Sequence, residues 1–218
     1  MTMPAEPDFD RVAHIYRWAE YASLGPLLQR VRTHFLSELS ECRRAMVLGD
    51  GDGRFLARLM AQNPAMQAVA IDASAAMLEL LHRNCARSAQ NTEMRLTLRR
   101  TSALQTNPAQ QTDLIVTHFF LDCLTQAQVD ALTESYARLV KSGTLWVVSD
   151  FALPRIKWLR PFAVAYIRTL YFAFRLLTGL RVTRLPDAQK ALLSAGFARV
   201  ARKEFIGGLI YTELWQLE

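Results

Sequence analysis

Cysteine is scarce in this sequence, and the three that occur, Cys42, Cys85 and Cys123, share no metal-like spacing. An odd number of thiols without such spacing predicts reduced side chains, with neither a disulfide framework nor a zinc site. The first eight residues, Met-Thr-Met-Pro-Ala-Glu-Pro-Asp, lack the basic patch and apolar run of a signal peptide. We therefore expect a cytoplasmic protein that holds no metal.

Acidic residues are absent between Pro154 and Arg184, a segment that carries seven basic residues. Outside this segment the chain has 19 of its 26 basic residues and all 20 acidic ones, a net charge of −1. The whole positive excess of the chain therefore lies in this one segment. With 218 residues, 51% of them hydrophobic and 21% charged, the chain has the size and composition of one sizeable folded domain. This composition excludes a disordered protein.

Glycine is also infrequent, yet three of the nine glycines lie within five residues, in the stretch Val-Leu-Gly-Asp-Gly-Asp-Gly-Arg-Phe at 47–55. The apolar residues 45–48 predict a buried strand, and the apolar residues after the turn recur at helical spacing. Glycines let the backbone approach a ligand closely where a helix begins and free N–H groups gather. The stretch therefore predicts a binding site for a nucleotide-like cofactor.

Two common nucleotide-binding patterns are absent from this stretch. The dinucleotide fingerprint needs a glycine at its sixth position, and counting from Gly49 that position is Arg54. The phosphate-binding P-loop needs Gly-Lys-Ser/Thr, and this tripeptide occurs nowhere in the chain. The spacing that remains is Gly-x-Gly-x-Gly.

A Gly-x-Gly-x-Gly loop after a first strand resembles the first motif of the class I S-adenosylmethionine-dependent methyltransferases. A second feature agrees, because the predicted strand Val69-Ala70-Ile71 ends at Asp72, where a carboxylate can accept hydrogen bonds from ribose hydroxyls. The resemblance implies S-adenosylmethionine as the cofactor. The cofactor-binding residues that it implies are Gly49, Asp50, Gly51, Gly53, Asp72, Ala73, Met77, Ser102, Ala103 and His118.

The sequence departs from this family at two positions. Val47 stands where the family usually has an acid, two residues before the first glycine, and Ser102 stands where it has an acid near the adenine. Asp50, inside the loop, is a candidate to contact the amino acid part of the cofactor. Turn chemistry is the alternative for both Asp50 and Asp52, and a place in the core is the alternative for Met77.

Residues 8–39 predict one or two helices before the first strand, broken near Gly25-Pro26. The pattern Phe-Asp-Arg-Val-Ala-His-Ile-Tyr at 9–16 resembles the opening of the quinone-type branch of the family. In that branch a comparable segment caps the cofactor and part of the substrate. The resemblance makes Tyr16 and Tyr21 candidate substrate-binding residues, and an amphipathic helix packed on the sheet is the alternative.

The clearest strand after the first, at 112–118, ends beside a second group of candidate residues. Ligands bind outside the carboxyl ends of parallel strands, which places His118, Phe119 and Asp122 near the glycine loop. His118 is the first candidate for a general base because the unperturbed pKa of histidine is near neutrality. Asp122 is the second and His14 the third, and Phe119 is a candidate substrate contact. The alternatives are that His118 only contacts the cofactor and that Asp122 caps the following helix.

The rest of the pattern predicts strands alternating with helices. Ser74 caps a helix that runs to about Ala89, and a hairpin turns at Gly207-Gly208. We therefore expect an α/β fold with a Rossmann-like, seven-stranded, mostly parallel sheet, an antiparallel last strand and helices on both faces. The other predicted elements are strands at 95–98 and 144–151, helices at 125–140 and 187–195, and hairpin strands at 197–206 and 209–217.

The basic segment predicts a helical insert after the fifth strand. Arg168 and Arg175 interrupt its apolar residues, which argues against a membrane-spanning helix. A basic stripe beside a wide aromatic face is typical of an interfacial helix. It is a lid over a hydrophobic substrate pocket, a helix on an anionic membrane surface, or a packing or dimer helix. We expect one domain over 1–218, with a helical cap at 8–40, a cofactor-binding core at 43–151, this insert at 154–185, and a C-terminal helix and hairpin at 186–218.

These features favour a methyltransferase that uses S-adenosylmethionine to methylate an oxygen or carbon of a small, lipophilic acceptor. The alternatives are a non-catalytic cofactor-binding or membrane-associated protein of the same fold, and an enzyme that uses the cofactor for other chemistry, such as aminopropyl transfer. Peripheral membrane contact is expected through 154–184. Nucleic acid is not expected as a partner, since bulky aliphatic residues interleave the basic ones. The Asn/Asp-Pro-Pro-aromatic motif of DNA enzymes that methylate amino groups is also absent at 117–120, where it would belong.

Overall fold

Seven strands form one sheet in a computed structural model of the chain, which describes residues 25–154, 156, 158, 160–178 and 185–218. The strands are β1 (Arg44–Leu48), β2 (Gln67–Asp72), β3 (Leu96–Arg100), β4 (Leu114–His118), β5 (Leu145–Phe151), β6 (Phe197–Phe205) and β7 (Ile210–Leu217). Their order in the sheet is β3-β2-β1-β4-β5-β7-β6. The first five strands are parallel, and β7 is antiparallel to both of its neighbours. The expected α/β fold with an antiparallel last strand is confirmed.

The helices connect these strands and include a long helix after β5. They are α1 (Gly25–Arg32), α2 (Arg54–Gln62), α3 (Ala75–Ser88), α4 (Thr92–Arg95), α5 (Gln126–Leu139), α6 (Arg160–Thr178) and α7 (Ala188–Ser194). Single 3₁₀ turns lie at Ser37–Leu39, Ala103–Gln105, Leu121–Cys123 and Ile206–Gly208. The predicted helical insert after the fifth strand is therefore α6.

Side-chain caps determine where two of the longer helices begin. Ser74 Oγ accepts the N–H of Met77 at 3.2 Å, as expected for the N-cap of α3. A capping box starts α5, because Thr125 Oγ1 accepts the N–H of Gln128 while Gln128 Oε1 accepts the N–H of Thr125. Asp122 does not cap α5, and that alternative for its role is wrong.

Apolar side chains cover both faces of the sheet. On one face, Phe55 of α2 and Leu81 of α3 belong to a buried cluster with β1, β4 and β5. On the other, Tyr136 of α5 stacks on Trp146 with ring centroids 5.8 Å apart, and Phe197 meets Trp146 edge-on at 5.4 Å. Burying such large apolar side chains on both faces fixes helices on both faces.

A third apolar cluster joins α6 to the carboxyl ends of the strands. Ala163 and Ile167 of α6 are buried against Leu28 and Val31 of α1, and against Phe151, Leu209 and Ile210 at the ends of β5 and β7. The first half of α6 therefore lies over the edge of the sheet at which the strand-end residues meet.

The helix predicted to reach Leu39 ends earlier. α1 stops at Arg32, where the N–H and the Oγ1 of Thr33 both donate to the carbonyl of Gln29. The chain then turns and forms the 3₁₀ turn that ends at Leu39. The predicted residues 8–24 of this segment lie outside the described residues.

Several other predicted bounds shift by one or two residues, and the contacts explain two of these shifts. The strand predicted from Arg95 begins one residue later, since Arg95 closes α4 and its guanidinium donates to the carbonyls of Met60, Asn63 and Gln90. The hairpin turn is longer than two glycines, because strand pairing stops at Phe205 and Ile210. Its four residues, 206–209, include three with positive φ, and the first three of them form a short 3₁₀ turn.

The glycine at the start of α2 provides a stability test of this packing. Gly53 has a φ of 76°, and a Cβ there would lie 2.5 Å from Leu81 Cγ and 2.8 Å from Leu81 Cα. Gly53→Ala should lower the free energy of unfolding by about 2–4 kcal/mol, because overpacking adds to backbone strain. Gly143→Ala is the control, since Gly143 has a φ of 87° but no atom within 4 Å of that position. Urea unfolding of both variants measures the difference, and equal losses would contradict a close contact between α2 and α3.

Candidate active site

The glycine loop lies against the end of β2 and the turn after β4. The N–H of Gly49 donates to the carbonyl of Ile71 at 2.9 Å. A Cβ on Gly49 would lie 2.6 Å from Cδ2 of Phe120, so the ring of Phe120 occupies the space that glycine leaves. The loop, the strand-end acid Asp72 and the turn after β4 therefore meet at one edge of the sheet, as the sequence predicts.

The two aspartates of the loop stabilise the turn. Asp50 is buried, and its Oδ2 accepts the N–H of Leu56 in the first turn of α2 at 3.1 Å. Asp52 Oδ1 accepts from Nε of Arg54 at 2.8 Å, and its carbonyl accepts from the Asn84 side chain. These bonds support turn chemistry for both side chains, so the loop backbone is the better candidate to contact a cofactor.

The acid after β2 and the residues predicted near the adenine have backbone partners. Asp72 Oδ1 accepts the N–H of Ser74 at 2.9 Å, which fixes the carboxylate at the start of α3. Ser102 Oγ accepts the N–H of Leu104 at 3.2 Å and caps the short turn that contains Ala103. Met77 is buried, which supports its alternative as a core residue. Ala73 follows Asp72, so Asp72 and Ala73 remain the predicted contacts beside the loop.

His118 lies at the end of β4, but it is buried among apolar and cationic neighbours. Its Nδ1 is 2.8 Å from Ser149 Oγ, and its ring meets the edge of Phe55 with centroids 4.4 Å apart. Nε2 is buried and has no hydrogen-bond partner among the described residues. Burial, and then the charge of Arg32, lower the pKa of His118 well below its usual value. His118 is therefore uncharged at physiological pH. Its pKa does not lie near pH 7, contrary to what we expected from the sequence.

Phe119 turns the chain out of β4 with strained backbone. Its φ is 54°, which is unusual for a bulky residue. Backbone strain of this kind is found most often at functional sites. Its ring lies 5.2 Å from the ring of Phe151, and the guanidinium of buried Arg32 lies 5.2 Å from its centroid. Phe119 thus stands between the glycine loop and the cluster beneath α6.

Asp122 and Asp150 form a buried pair of carboxyl groups at this edge. Oδ2 of Asp150 accepts the backbone N–H of Asp122 at 3.0 Å, and Oδ1 accepts that of Phe151 at 2.9 Å. The two carboxyl groups also interact with each other, and this interaction favours a proton on one of them. Burial raises the pKa of Asp122 to about 6 and that of Asp150 well above its usual value. The pair therefore holds a proton near neutral pH.

Asp150 is the residue of this site that the sequence argument missed. It stands at the end of a predicted strand, the same signal that singled out Asp72. Its pairing with Asp122, 28 residues earlier, appears only when β4 and β5 lie side by side. The other two candidates named from the sequence, Tyr16 and Tyr21, lie outside the described residues, as does His14.

Two kinds of feature are absent from the described part of the chain. Its His, Cys, Asp and Glu side chains form no group of three or more that could hold a metal ion. None of its helices has the length and apolar character needed to cross a bilayer.

Comparison with known proteins shows that this chain has a recognised fold. Residues 46–145 match the family model described as a methyltransferase domain. A putative O-methyltransferase from Nostoc punctiforme has a TM-score of 0.73 at 17% identity, with 99% of this chain and 64% of that one covered. An O-methyltransferase family 2 protein from Planctomyces limnophilus, in complex with apigenin, gives 0.69 at 15% identity, covering 94% and 62%. A search of the curated proteins finds no match.

A third structure, the mitomycin 7-O-methyltransferase MmcR, has a TM-score of 0.68 at 13% identity, with 96% of this chain and 60% of that one covered. At these identities the structural likeness establishes the fold. The chain spans less than two thirds of the length of all three structures.

The acid pair makes the stability of the protein depend on pH in a defined direction. A pKa raised by folding stabilises the native state at low pH, and this contribution is lost as pH rises through about 6. Asp122→Asn cannot ionise, so its Tm relative to the unsubstituted protein should rise by about 2–4 °C between pH 5 and pH 8, or about 1 kcal/mol. Asp130→Asn, at an exposed position, is the control and should show no such trend. Calorimetric melting across this range measures it, and a flat difference for Asp122→Asn would contradict the shared proton.

Proposed function

Since residues 46–145 match the model of a methyltransferase domain, we propose that the chain transfers a methyl group from S-adenosylmethionine to an oxygen or carbon of a small, lipophilic acceptor. The methyltransferase fold, the family and its cofactor agree with the expectation from the sequence. The acceptor class is inferred from the apolar surroundings of the site.

The residues of the glycine loop fit this cofactor. Gly49 lies where backbone N–H groups gather at the start of α2, and any larger residue would meet Phe120. Asp72 holds a carboxylate at the end of the neighbouring strand, fixed by the N–H of Ser74. In this proposal the loop backbone holds the amino acid part of the cofactor and Asp72 holds its ribose.

The row of aromatic rings between β4 and α6 is the observation that carries the choice of acceptor. Phe119 and Phe151 lie 5.2 Å apart, and Phe151 and Tyr166 of α6 lie 6.4 Å apart. Such rings offer a lipophilic molecule apolar area and stacking partners, and they exclude water from the reacting atoms. That a neighbour of the same fold binds apigenin agrees with this proposal.

The sulfonium of S-adenosylmethionine makes its methyl group electrophilic, so the protein mainly aligns the acceptor and excludes water. A phenol or enol acceptor must also lose a proton. Asp122 is the proposed base, because its pKa of about 6 leaves it ionised at neutral pH. Asp150 is the proposed positioning residue, since it accepts the backbone N–H of Asp122. His118 becomes the weaker candidate, because its pKa is far below neutrality.

A lipophilic acceptor partitions into membranes. We therefore propose that this protein lies in the cytoplasm and contacts the membrane surface through residues 154–184. In this proposal α6 covers the bound acceptor.

The role of Asp122 can be separated from cofactor binding. Asp122→Asn should lower kcat for a phenolic acceptor by about 10²-fold or more, as expected for the loss of a general base, and leave the Kd for S-adenosylmethionine unchanged. In the unsubstituted protein kcat should fall as pH drops below about 6, because Asp122 takes up a proton. The control Asp130→Asn, at an exposed position on α5, should change neither quantity. Equal losses in kcat and affinity would assign Asp122 to binding.

Calorimetric titration with S-adenosylmethionine, with NAD as a comparison, tests the proposed function itself. Micromolar binding of S-adenosylmethionine alone is expected. Asp72→Ala should weaken it by about 1.5–3 kcal/mol, the worth of a hydrogen bond to a charged group, and Gly51→Val should abolish it. Binding without methyl transfer to any lipophilic extract would instead favour a non-catalytic protein. Tighter binding of the decarboxylated cofactor would favour aminopropyl transfer.

A further inference from the structure

Exposed apolar side chains are concentrated in the segment that leads into α6. Leu153, Ile156, Trp158 and Phe162 are 52%, 43%, 69% and 70% exposed. They account for four of the nine exposed large hydrophobic residues of the described part of the chain, and they lie within ten residues. Exposed apolar side chains concentrated in this way favour a contact with a partner or a membrane. We call these four residues the apolar segment.

The charge around the apolar segment narrows the choice of partner. Three of its four residues lie within the part of the chain, 154–184, that has seven basic residues and no acidic one, including exposed Arg160 and Arg168. A second copy of this chain would bring the same positive charge to the contact. A bilayer with anionic lipids brings the opposite charge, together with an apolar interior.

The position of the apolar segment relates it to the site. The side of α6 that carries Ala163 and Ile167 is buried against α1 and the ends of β5 and β7. Tyr166, on the same helix, packs against that cluster and contacts Phe151. One helix therefore has one side toward the proposed acceptor site, while Phe162, one turn earlier, is exposed to solvent.

We propose that the apolar segment inserts into the interface of an anionic lipid bilayer, with Trp158 and Phe162 as its main anchors. Tryptophan is enriched at this depth because its ring is apolar and its N–H is polar. Exposed Arg160 and Arg168 hold the segment at the lipid head groups, and the docking does not require a helix that crosses the membrane. The docking stands on these residues alone, whereas its use to deliver an acceptor rests on the proposed methyl transfer.

Vesicle co-sedimentation of the full chain tests the proposal. The probes are vesicles of phosphatidylcholine alone and of phosphatidylcholine with about one third phosphatidylglycerol. The unsubstituted protein should partition at least about tenfold more strongly onto the anionic vesicles, and added salt should reduce this binding. The double variant Trp158→Ser/Phe162→Ser should lose about tenfold or more of it. Arg168→Gln should bind the anionic vesicles about fivefold more weakly, the change expected for the loss of one basic residue at such a surface.

Matched controls use residues of the same kind elsewhere on the surface. Leu193→Ser/Val200→Ser removes two other exposed apolar side chains, each 55% exposed, and should bind vesicles as the unsubstituted protein does. Arg87→Gln removes an exposed helix-end arginine outside the basic segment and should behave likewise. Melting temperatures of all variants identify any that fail to fold, and Trp158→Tyr then replaces the double variant with a smaller expected loss.

Three outcomes would overturn the proposal: no binding to either kind of vesicle, equal binding to both, or unchanged binding of the double variant. A change from dimer to monomer in the double variant, with no vesicle binding, would instead assign the apolar segment to contacts between copies. Titration with S-adenosylmethionine without vesicles keeps this test separate from the proposed function. A protein that binds the cofactor but no vesicle refutes only the docking, and one that binds vesicles but no cofactor refutes only the enzymatic proposal.

Discussion

The close approach of the glycine loop to its neighbours is the constraint on which the site depends. The loop meets the end of β2 through the hydrogen bond from Gly49 to Ile71, and it meets the turn after β4 through Phe120. Gly53 brings α2 against α3 at a distance that leaves no room for a Cβ. These contacts align the carboxyl ends of the strands, so residues far apart in sequence can share one edge.

The acid pair at this edge is costly to the folded protein. Two carboxyl groups buried side by side must share a proton, and each must be satisfied by hydrogen bonds. The backbone N–H groups of Asp122 and Phe151 provide two of these hydrogen bonds, and both donate to the carboxyl group of Asp150. An arrangement that reduces stability as pH rises, yet occupies the carboxyl edge of the sheet, is typical of functional rather than structural carboxyl groups.

The sequence was sufficient where the information is local. Caps such as Ser74 and Thr125 follow from hydrogen bonds within three or four residues, and the glycine loop and Asp72 follow from strand ends. It was insufficient where distant residues set the chemistry. The low pKa of His118 depends on its burial and on Arg32, and the role of Asp150 depends on Asp122 in the neighbouring connection. Neither relation leaves a pattern along the chain.

Two features near helix α6 are not explained by packing within the protein: exposed apolar side chains near its start, and the positive charge around them. Ala163 and Ile167 bury one side against α1 and the ends of β5 and β7, while Trp158 and Phe162 leave large apolar area in water near its start. Water disfavours that exposure, and the basic charge around it would resist a second copy of the chain. An anionic lipid surface accounts for both features, because it covers the apolar rings and neutralises the positive charge. Under the proposed function, such a surface would hold α6 over the acceptor site where a lipophilic acceptor is most concentrated.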